Sequence, residues 1–198
     1  ADRKVKAAAI DSGYNASQVY AFVLKRRWCF ATKGVTGMHR PLVEDEKKRR
    51  QRLRVKRKRG IPVEPIGVDG GKGLLYSRLK LTEPGPGYVH FPQDTAFDDE
   101  YFSQLAAEKL VTKLRGRRPV AEWVQMRPRN EALDCLLLAL AALRLSNVDL
   151  KGALAGKRWI DDHQPMSAVG GPPEAPLSAT LAQLIKARHL ERHGRQPR

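Results

Sequence analysis

Three aspartates lie at positions where carboxylates can do chemistry. Asp11 ends a predicted buried strand just before a glycine turn, and Asp69 ends a later predicted strand just before a pair of glycines. Asp134 lies on a long apolar helix, where a carboxylate is costly and is kept mainly when it is paired or binds a metal. Carboxylates from two strand ends and one helix can gather at the carboxyl edge of a sheet. The spacing therefore favours a shared acidic site.

The chemistry of such a site follows from its ligand atoms. Clustered carboxylates repel one another until divalent cations arrive, and oxygen-only ligands select Mg²⁺ or Mn²⁺. Two such ions about 3.5–4 Å apart activate a water and stabilise the leaving oxygen in phosphodiester hydrolysis. Glu131 lies one helical turn before Asp134 on the same face, so it is a candidate extra ligand, unless it pairs with Arg127 or Arg129.

Ordinary structural roles stay open for each of these acids. Asp11 could be a turn residue, Asp69 could form an Asp-Gly turn, and Asp134 could pair with a buried arginine. Asp161 and Asp162 are a rival source of a third metal ligand, although they lie outside the strongest predicted helix.

Positive charge is concentrated in one segment. The chain has 37 Lys and Arg against 21 Asp and Glu, a formal net charge of +16, which indicates a polyanionic partner such as DNA. Ten of the thirteen residues at 47–59 are basic and none is acidic. Because no aromatic residue is interleaved, the segment is predicted to contact phosphates rather than stack on bases. A solvated loop or a localisation signal is the alternative.

We expect this basic insertion, at about residues 44–60, to be a loop outside the sheet that is poorly ordered without DNA, because nothing in it can pack. The predicted DNA contacts are its cations and one lysine close to Asp69 in sequence. They are Lys47, Lys48, Arg49, Arg50, Arg52, Arg54, Lys56, Arg57, Lys58, Arg59 and Lys72.

Composition excludes several other classes of protein. Cys29 and Cys135 are too few for a disulfide framework or a four-cysteine zinc site, which fits a reducing compartment. The longest apolar stretch, residues 136–143, is far too short to span a bilayer, and the polar start does not resemble a signal peptide. We therefore expect no membrane partner.

The elements that carry the acids predict an α/β fold. Strands are predicted at residues 7–11, where the chain then runs into a Gly turn, and at 18–24, 27–33, 61–69, 88–91 and 121–126. Helices are predicted at 74–81, 98–114, 130–145 and 178–189. The first three strands are expected to form an antiparallel meander, and the glycines at 70–73 to break the chain. We predict a central mixed sheet of five or more strands with the apolar helix at 130–145 packed on it.

An ordered set of motifs carries a resemblance to a known family. In chain order they are Ala9-Ile-Asp-Ser-Gly-Tyr14, Val19-Tyr-Ala-Phe22, Ala31-Thr-Lys-Gly34, Val68-Asp69 with Lys72, His90-Phe-Pro92, Tyr101-Phe-Ser-Gln-Leu105 and Asn130-Glu-Ala-Leu-Asp-Cys135. Over about residues 5–145 they resemble the nuclease domain of phage terminase large subunits of the lambda GpA type. The resemblance implies an RNase H-like fold, a mixed β-sheet flanked by helices.

The same resemblance implies a function. Members of this family would be metal-dependent endonucleases that cut concatemeric double-stranded phage DNA during genome packaging, by two-metal phosphodiester hydrolysis. By position, Asp11, Asp69 and Asp134 would be the catalytic acids that bind two Mg²⁺ or Mn²⁺ ions. The partners would be double-stranded DNA, the terminase small subunit and the portal protein, and the location would be the host cytoplasm.

The resemblance also predicts the domain organisation, with an RNase H-like endonuclease core at residues 1–145 and a C-terminal appendage at 146–198. Large subunits of this family carry a packaging ATPase ahead of the nuclease. Here Gly71-Lys72 is followed by Gly73, where a Walker A motif needs Ser or Thr, so we expect no nucleotide site. Because the first predicted strand begins close to Ala1, we expect the N-terminal ATPase domain to be missing from this fragment.

Two other functions stay open on the sequence. Another RNase H-like nuclease, such as a junction resolvase or a transposase core, would share the acid arrangement. A non-enzymatic basic nucleic-acid-binding protein would account for the charge but gives no reason for an acid on an apolar helix.

Overall fold

The computed structural model describes residues 5–56, 60–92 and 94–147. In those ranges the chain forms five strands and five helices. They are β1 (Ala8–Asp11), α1 (Ala16–Leu24), β2 (Cys29–Val35), α2 (Glu46–Lys56), β3 (Val63–Gly67), α3 (Val68–Leu79), α4 (Asp99–Leu105), β4 (Glu108–Arg115), β5 (Arg118–Gln125) and α5 (Glu131–Leu145). The predicted α/β class is confirmed.

Three parallel strands form the main sheet, in the order β1-β2-β3. Parallel neighbours need crossover connections, which contain α1 and α2. The predicted antiparallel meander is therefore wrong, because residues 18–24 belong to α1 and not to a strand. Their apolar residues fit a helical period as well as an alternating one. At the helix start, the side-chain oxygen of Asn15 accepts a hydrogen bond from the Gln18 N–H at 3.5 Å, a capping signal that the strand prediction overlooks.

A separate antiparallel hairpin consists of β4 and β5, with Gly116 in its turn at φ +64°. The region predicted as a single helix at 98–114 therefore forms a short helix, α4, followed by most of strand β4. Asp98 caps the short α4 by accepting a hydrogen bond from the Tyr101 N–H at 2.8 Å, and residues from Glu108 onward join β4. Pairing along the whole length of β4 outweighs the helical spacing of its leucines. In the described ranges, the predicted sheet of five or more strands is therefore two sheets, of three and two strands.

Helix α3 runs through the glycines that the sequence predicts to break the chain. A Cβ atom on Gly70 would lie 2.1 Å from the Arg40 carbonyl oxygen, and one on Gly71 would lie 2.7 Å from Leu42 Cδ1. These glycines allow α3 to approach its neighbours closely, so their role is packing. As a result the helix begins at Val68, and Asp69 lies in its first turn rather than at a strand end.

Helix α5 joins the two parts of the hydrophobic core. Leu133 packs in the cluster that includes Leu75 and Leu105, whereas Leu137 packs in the cluster that includes Ile66. The helix also packs on β1, which confirms the predicted contact between the late apolar helix and the sheet.

Several remaining predictions concern the second half of the chain. Residues 88–91 form no strand, because Phe91 packs its ring against Phe97 and Phe102 instead of pairing its backbone. The strand at 121–126 is confirmed as β5. The helix predicted at 178–189 and nearly all of the predicted appendage lie outside the described residues. In the part that is described, no helix has the length and apolar character needed to cross a membrane.

Candidate active site

Asp11 is held at the carboxyl end of β1. The parallel register places Asp11 beside Thr32 and Thr32 beside Glu64, so these three side chains leave the sheet on the same face. The buried hydroxyl of Ser12 donates a hydrogen bond to the Thr32 carbonyl oxygen at 2.8 Å, which fixes the end of the strand. A Cβ atom on Gly13 would lie 2.8 Å from Asp11 Oδ2, so the glycine leaves room for the carboxylate.

Asp134 lies in the first turn of α5 and interacts electrostatically with Asp11. The pKa of the Asp134 carboxyl is raised, and partial desolvation is the largest cause. The Lys72 ammonium lowers this pKa, whereas the negative charges of Glu108, Asp11 and Glu131 raise it. Two of the three predicted metal ligands therefore share one acidic environment.

A buried ion pair lies beside this acidic pair. The Lys72 ammonium donates to both carboxylate oxygens of Glu108, at 2.6 and 2.7 Å, and the two side chains are only 10% and 6% exposed. The Asn130 carboxamide donates to the same carboxylate at 2.9 Å. The prediction that Lys72 contacts DNA is therefore corrected, because its ammonium is buried and already paired.

Glu108 is the functional candidate that the sequence does not reveal. It falls inside a predicted helix, and no motif marks it. Its partners Lys72 and Asn130 are 36 and 22 residues away, so only the tertiary structure brings them together.

Asp69 has a different setting from the other two aspartates. Its Oδ2 accepts a hydrogen bond from the Gly37 N–H at 2.5 Å, and its carbonyl oxygen accepts one from the Trp123 indole N–H at 3.1 Å. Asp69 thus ties the start of α3 to the loop after β2 and to β5. Its preceding strand, β3, lies two strand spacings from β1, on the order of 10 Å.

The predicted trio is not assembled in the structure. Within residues 5–56, 60–92 and 94–147, no three His, Cys, Asp or Glu side chains form a group that could hold a metal ion. Asp11 and Asp134 are close enough to interact electrostatically, and Asp69 does not complete the group. Glu131 is exposed and pairs with Arg129 at 3.5 Å, which is the alternative that the sequence leaves open. Asp161 and Asp162 lie outside the described residues.

The basic insertion is mostly helical, so the prediction of a loop that cannot pack is wrong for α2. Arg49 donates to the buried Glu64 carboxylate at 2.9 Å, and Arg52 pairs with the other oxygen of Glu64. Arg52 also donates to Glu44 at 2.7 Å and to the Val63 carbonyl oxygen at 2.9 Å. The buried carboxylate on β3 is the reason, since it requires cationic partners.

The other cations of α2 point to solvent. Lys47, Lys48, Arg50 and Arg54 are exposed, and two of them make short-range pairs, Lys48 with Asp45 at 3.5 Å and Arg50 with Glu46. These four remain predicted DNA contacts. Lys56 is described only as the last residue of α2, and Arg57, Lys58 and Arg59 lie outside the described residues.

Comparisons with known proteins point to one family. A family model described as the endonuclease domain of the terminase large subunit gpA matches residues 1–159. The chain is 42% identical over 111 residues to the terminase large subunit of Escherichia phage lambda, and 36% identical over 121 residues to that of Enterobacteria phage P21. These matches cover 52% and 58% of the chain but only 17% and 18% of the two relatives. No solved structure gives a significant match.

Proposed function

Because this chain belongs to the family of terminase large subunit gpA endonuclease domains, we propose that it is a metal-dependent endonuclease that cuts double-stranded phage DNA. The observation that carries the metal dependence is the environment shared by Asp11 and Asp134, in which desolvation and negative charge raise the pKa of Asp134. Such a pair is costly until a cation compensates it.

A divalent metal fits the donor atoms of this pair. Asp11 and Asp134 offer only carboxylate oxygens, which suit Mg²⁺ and Mn²⁺. Two bound ions would supply an activated water and charge neutralisation for phosphodiester hydrolysis. Asp69 is the proposed third ligand, and one of its carboxylate oxygens, Oδ2, accepts a hydrogen bond from the Gly37 N–H.

Neighbouring residues would keep the acidic pair ready for a cation. The hydrogen bond from Ser12 to Thr32 fixes the end of β1, and Gly13 makes room for the Asp11 carboxylate. Lys72 lowers the pKa of Asp134 and so favours its ionised form, while Glu108 holds Lys72 in place.

The exposed cations of α2 would bind the DNA backbone. Lys47, Lys48, Arg50 and Arg54 lie on a helix that the Arg49 and Arg52 pairs with Glu64 hold against the sheet. Binding through these side chains would neutralise phosphates and would not depend on base sequence.

In its biological setting, the proposed substrate is concatemeric phage DNA in the host cytoplasm, cut during genome packaging. The proposed partners are the terminase small subunit, the portal protein and the ATPase domain of a longer large subunit. Both similar proteins are terminase large subunits, which supports this assignment. An RNase H-like topology with an appendage after residue 145 is part of the proposal.

The test is cleavage of linear duplex DNA with Mg²⁺, with Mn²⁺ and with EDTA. We expect cutting with either metal and none with EDTA, and loss of cutting in Asp11→Asn, Asp69→Asn and Asp134→Asn. Glu83→Gln, which changes an exposed acid, is the matched control and should cut like the wild type. Full activity in Asp11→Asn contradicts the assignment, and a strong preference for branched DNA would favour a junction resolvase.

A further inference from the structure

The hairpin of β4 and β5 carries a second concentration of positive charge. Residues 109–118 contain five basic residues and no acid: Lys109, Lys113, Arg115, Arg117 and Arg118. Apart from Val111, every residue from 109 to 120 is exposed. The outer half of the hairpin therefore packs little against the rest of the protein. Two strands alone are only marginally stable in water, so packing does not explain this exposed half.

The cations of the hairpin differ in whether they have partners. Lys113 and Arg115 both pair with Glu122 on the opposite strand, with the Arg115 contact at 3.2 Å. Arg117, in the turn, and Arg118, at the start of β5, make no ion pair with any residue that the structure describes. The turn therefore presents two uncompensated guanidinium groups to solvent.

The base of the hairpin is anchored beside the acidic pair. Glu108, the first residue of β4, is bound by Lys72 and raises the pKa of Asp134. On β5, the Trp123 ring stacks on Tyr76 with centroids 5.0 Å apart and planes inclined by 18°. These contacts anchor the base of the hairpin beside the candidate active site.

We propose that the β4–β5 hairpin is a second DNA-contacting element, whose turn arginines bind phosphates of the duplex that lies over Asp11 and Asp134. Eight residues of strand extend about 27 Å, so the turn can contact the duplex at some distance from the acidic pair. A two-stranded ribbon also fits the major groove. The excess of cations favours DNA over a protein partner. This inference rests on the proposed function, because it concerns the same substrate.

The test measures duplex binding against salt concentration in EDTA, so that no metal-dependent cleavage is involved. Arg117→Ser/Arg118→Ser should reduce the slope of log affinity against log salt by about 1.8, at about 0.9 for each phosphate that is no longer neutralised. Arg117→Lys/Arg118→Lys should keep the wild-type slope, since lysine also neutralises phosphate. Lys25→Ser/Lys80→Ser removes the same charge from exposed positions elsewhere and should also keep it.

The outcomes distinguish failure of the hairpin proposal from failure of the proposed nuclease activity. An unchanged slope in the serine variant overturns the hairpin proposal, and so does an equal reduction in the Lys25 and Lys80 control or in the lysine variant. Thermal melts of all variants should coincide, because every changed side chain is exposed. A chain that never cuts DNA but shows the predicted slope change keeps the hairpin as a binding element and contradicts the proposed nuclease.

Discussion

The environment of Asp134 opposes ionisation of its carboxyl group, so the ionised form should reduce the stability of the metal-free protein. Desolvation and the neighbouring carboxylates raise its pKa, so the charged form weakens the metal-free fold. We predict that Asp134→Asn raises the free energy of unfolding in EDTA by on the order of 0.5 kcal/mol, a small gain because the side chain reaches solvent. The same variant should lose cleavage. Urea unfolding and a nicking assay measure the two effects, with Glu83→Gln as the control.

The pH dependence of that gain has a definite sign. The folded-state pKa of Asp134 lies above its unfolded value, so the protonated carboxyl favours the folded state. This contribution is complete at pH below the unfolded pKa and is lost as pH rises through the folded pKa. We therefore predict that the unfolding free energy of the wild type, relative to its value at low pH, falls below that of Asp134→Asn as the pH rises through that interval toward neutrality. A difference that is independent of pH would contradict this origin.

The Lys72–Glu108 pair should behave as a buried ion pair. Lys72→Met leaves the Glu108 carboxylate buried, with the Asn130 carboxamide still donating to it, so we predict a loss of about 3–5 kcal/mol in unfolding free energy. The double variant Lys72→Met/Glu108→Gln removes both charges and should recover much of that loss. Denaturant unfolding of the two single variants and the double variant checks it. Additive losses would show that the two side chains do not interact.

At the scale of elements, the glycines of α3 provide an internal comparison. A Cβ atom on Gly70 would collide with the Arg40 carbonyl oxygen, whereas one on Gly73 meets nothing within 4 Å. We predict that Gly70→Ala destabilises the fold by about 1–3 kcal/mol through forced backbone shifts. Gly73→Ala, in the same helix, should stabilise it by about 0.5–1 kcal/mol because alanine is the better helix former. Thermal unfolding measures both. Equal effects at the two positions would contradict the close packing of α3.

The two sides of helix α2 are predicted to have different roles. The side that faces Glu64 contributes to stability, and the exposed side contributes to DNA binding. Arg49→Ser/Arg52→Ser removes both cationic partners of the buried Glu64, so we predict a loss of about 3–5 kcal/mol in unfolding free energy. Lys47→Ser/Arg50→Ser/Arg54→Ser changes exposed cations and should alter stability by less than about 1 kcal/mol. The triple variant should instead flatten the salt dependence of duplex binding by about 2.7 in slope. Unfolding and salt titration of both variants measure this division, and the reverse assignment of the two effects would contradict it.

At the scale of the whole molecule, metal binding should appear as folding stability. A cation that binds the folded acidic pair and not the unfolded chain adds about 2.7 kcal/mol at a concentration one hundred times its dissociation constant. We predict a higher melting temperature with Mn²⁺ than with EDTA, and no such shift in Asp11→Asn or Asp134→Asn. Glu83→Gln should keep the full shift. A shift that persists in both aspartate variants would place the metal elsewhere.

Local patterns in the sequence predict a substantial part of this fold. They predict the strand that ends at Asp11, the strand β5 and the helix α5, because each has a periodicity that agrees with its final packing. The sequence also indicates that Asp134 needs a compensating partner, because a carboxylate on an apolar helix is costly, and the structure places the Lys72 ammonium where it lowers the pKa of Asp134.

Errors arise where two local patterns compete. Residues 18–24 satisfy both a strand and a helix period, and the Asn15 cap goes with the helix. The glycines of α3 have the composition of a breaker, yet they serve close packing against the loop at Arg40 and Leu42. The Asn15 cap is itself a local signal, whereas the close contacts of the α3 glycines are made only by the folded chain.

The sequence by itself determined the α/β class and the concentration of positive charge, and it predicts Asp11 and Asp134 as acids of the candidate site, because those depend on composition and on short-range periodicity. Only the tertiary structure decided that the strands are parallel, that Asp69 is held by Gly37, that Lys72 is buried against Glu108, and that Arg49 and Arg52 are bound to Glu64. Each of these depends on partners far apart in the chain. A buried charge without a partner is costly. Lys72, Arg49 and Arg52 are therefore paired with Glu108 and Glu64, which no sequence motif identifies.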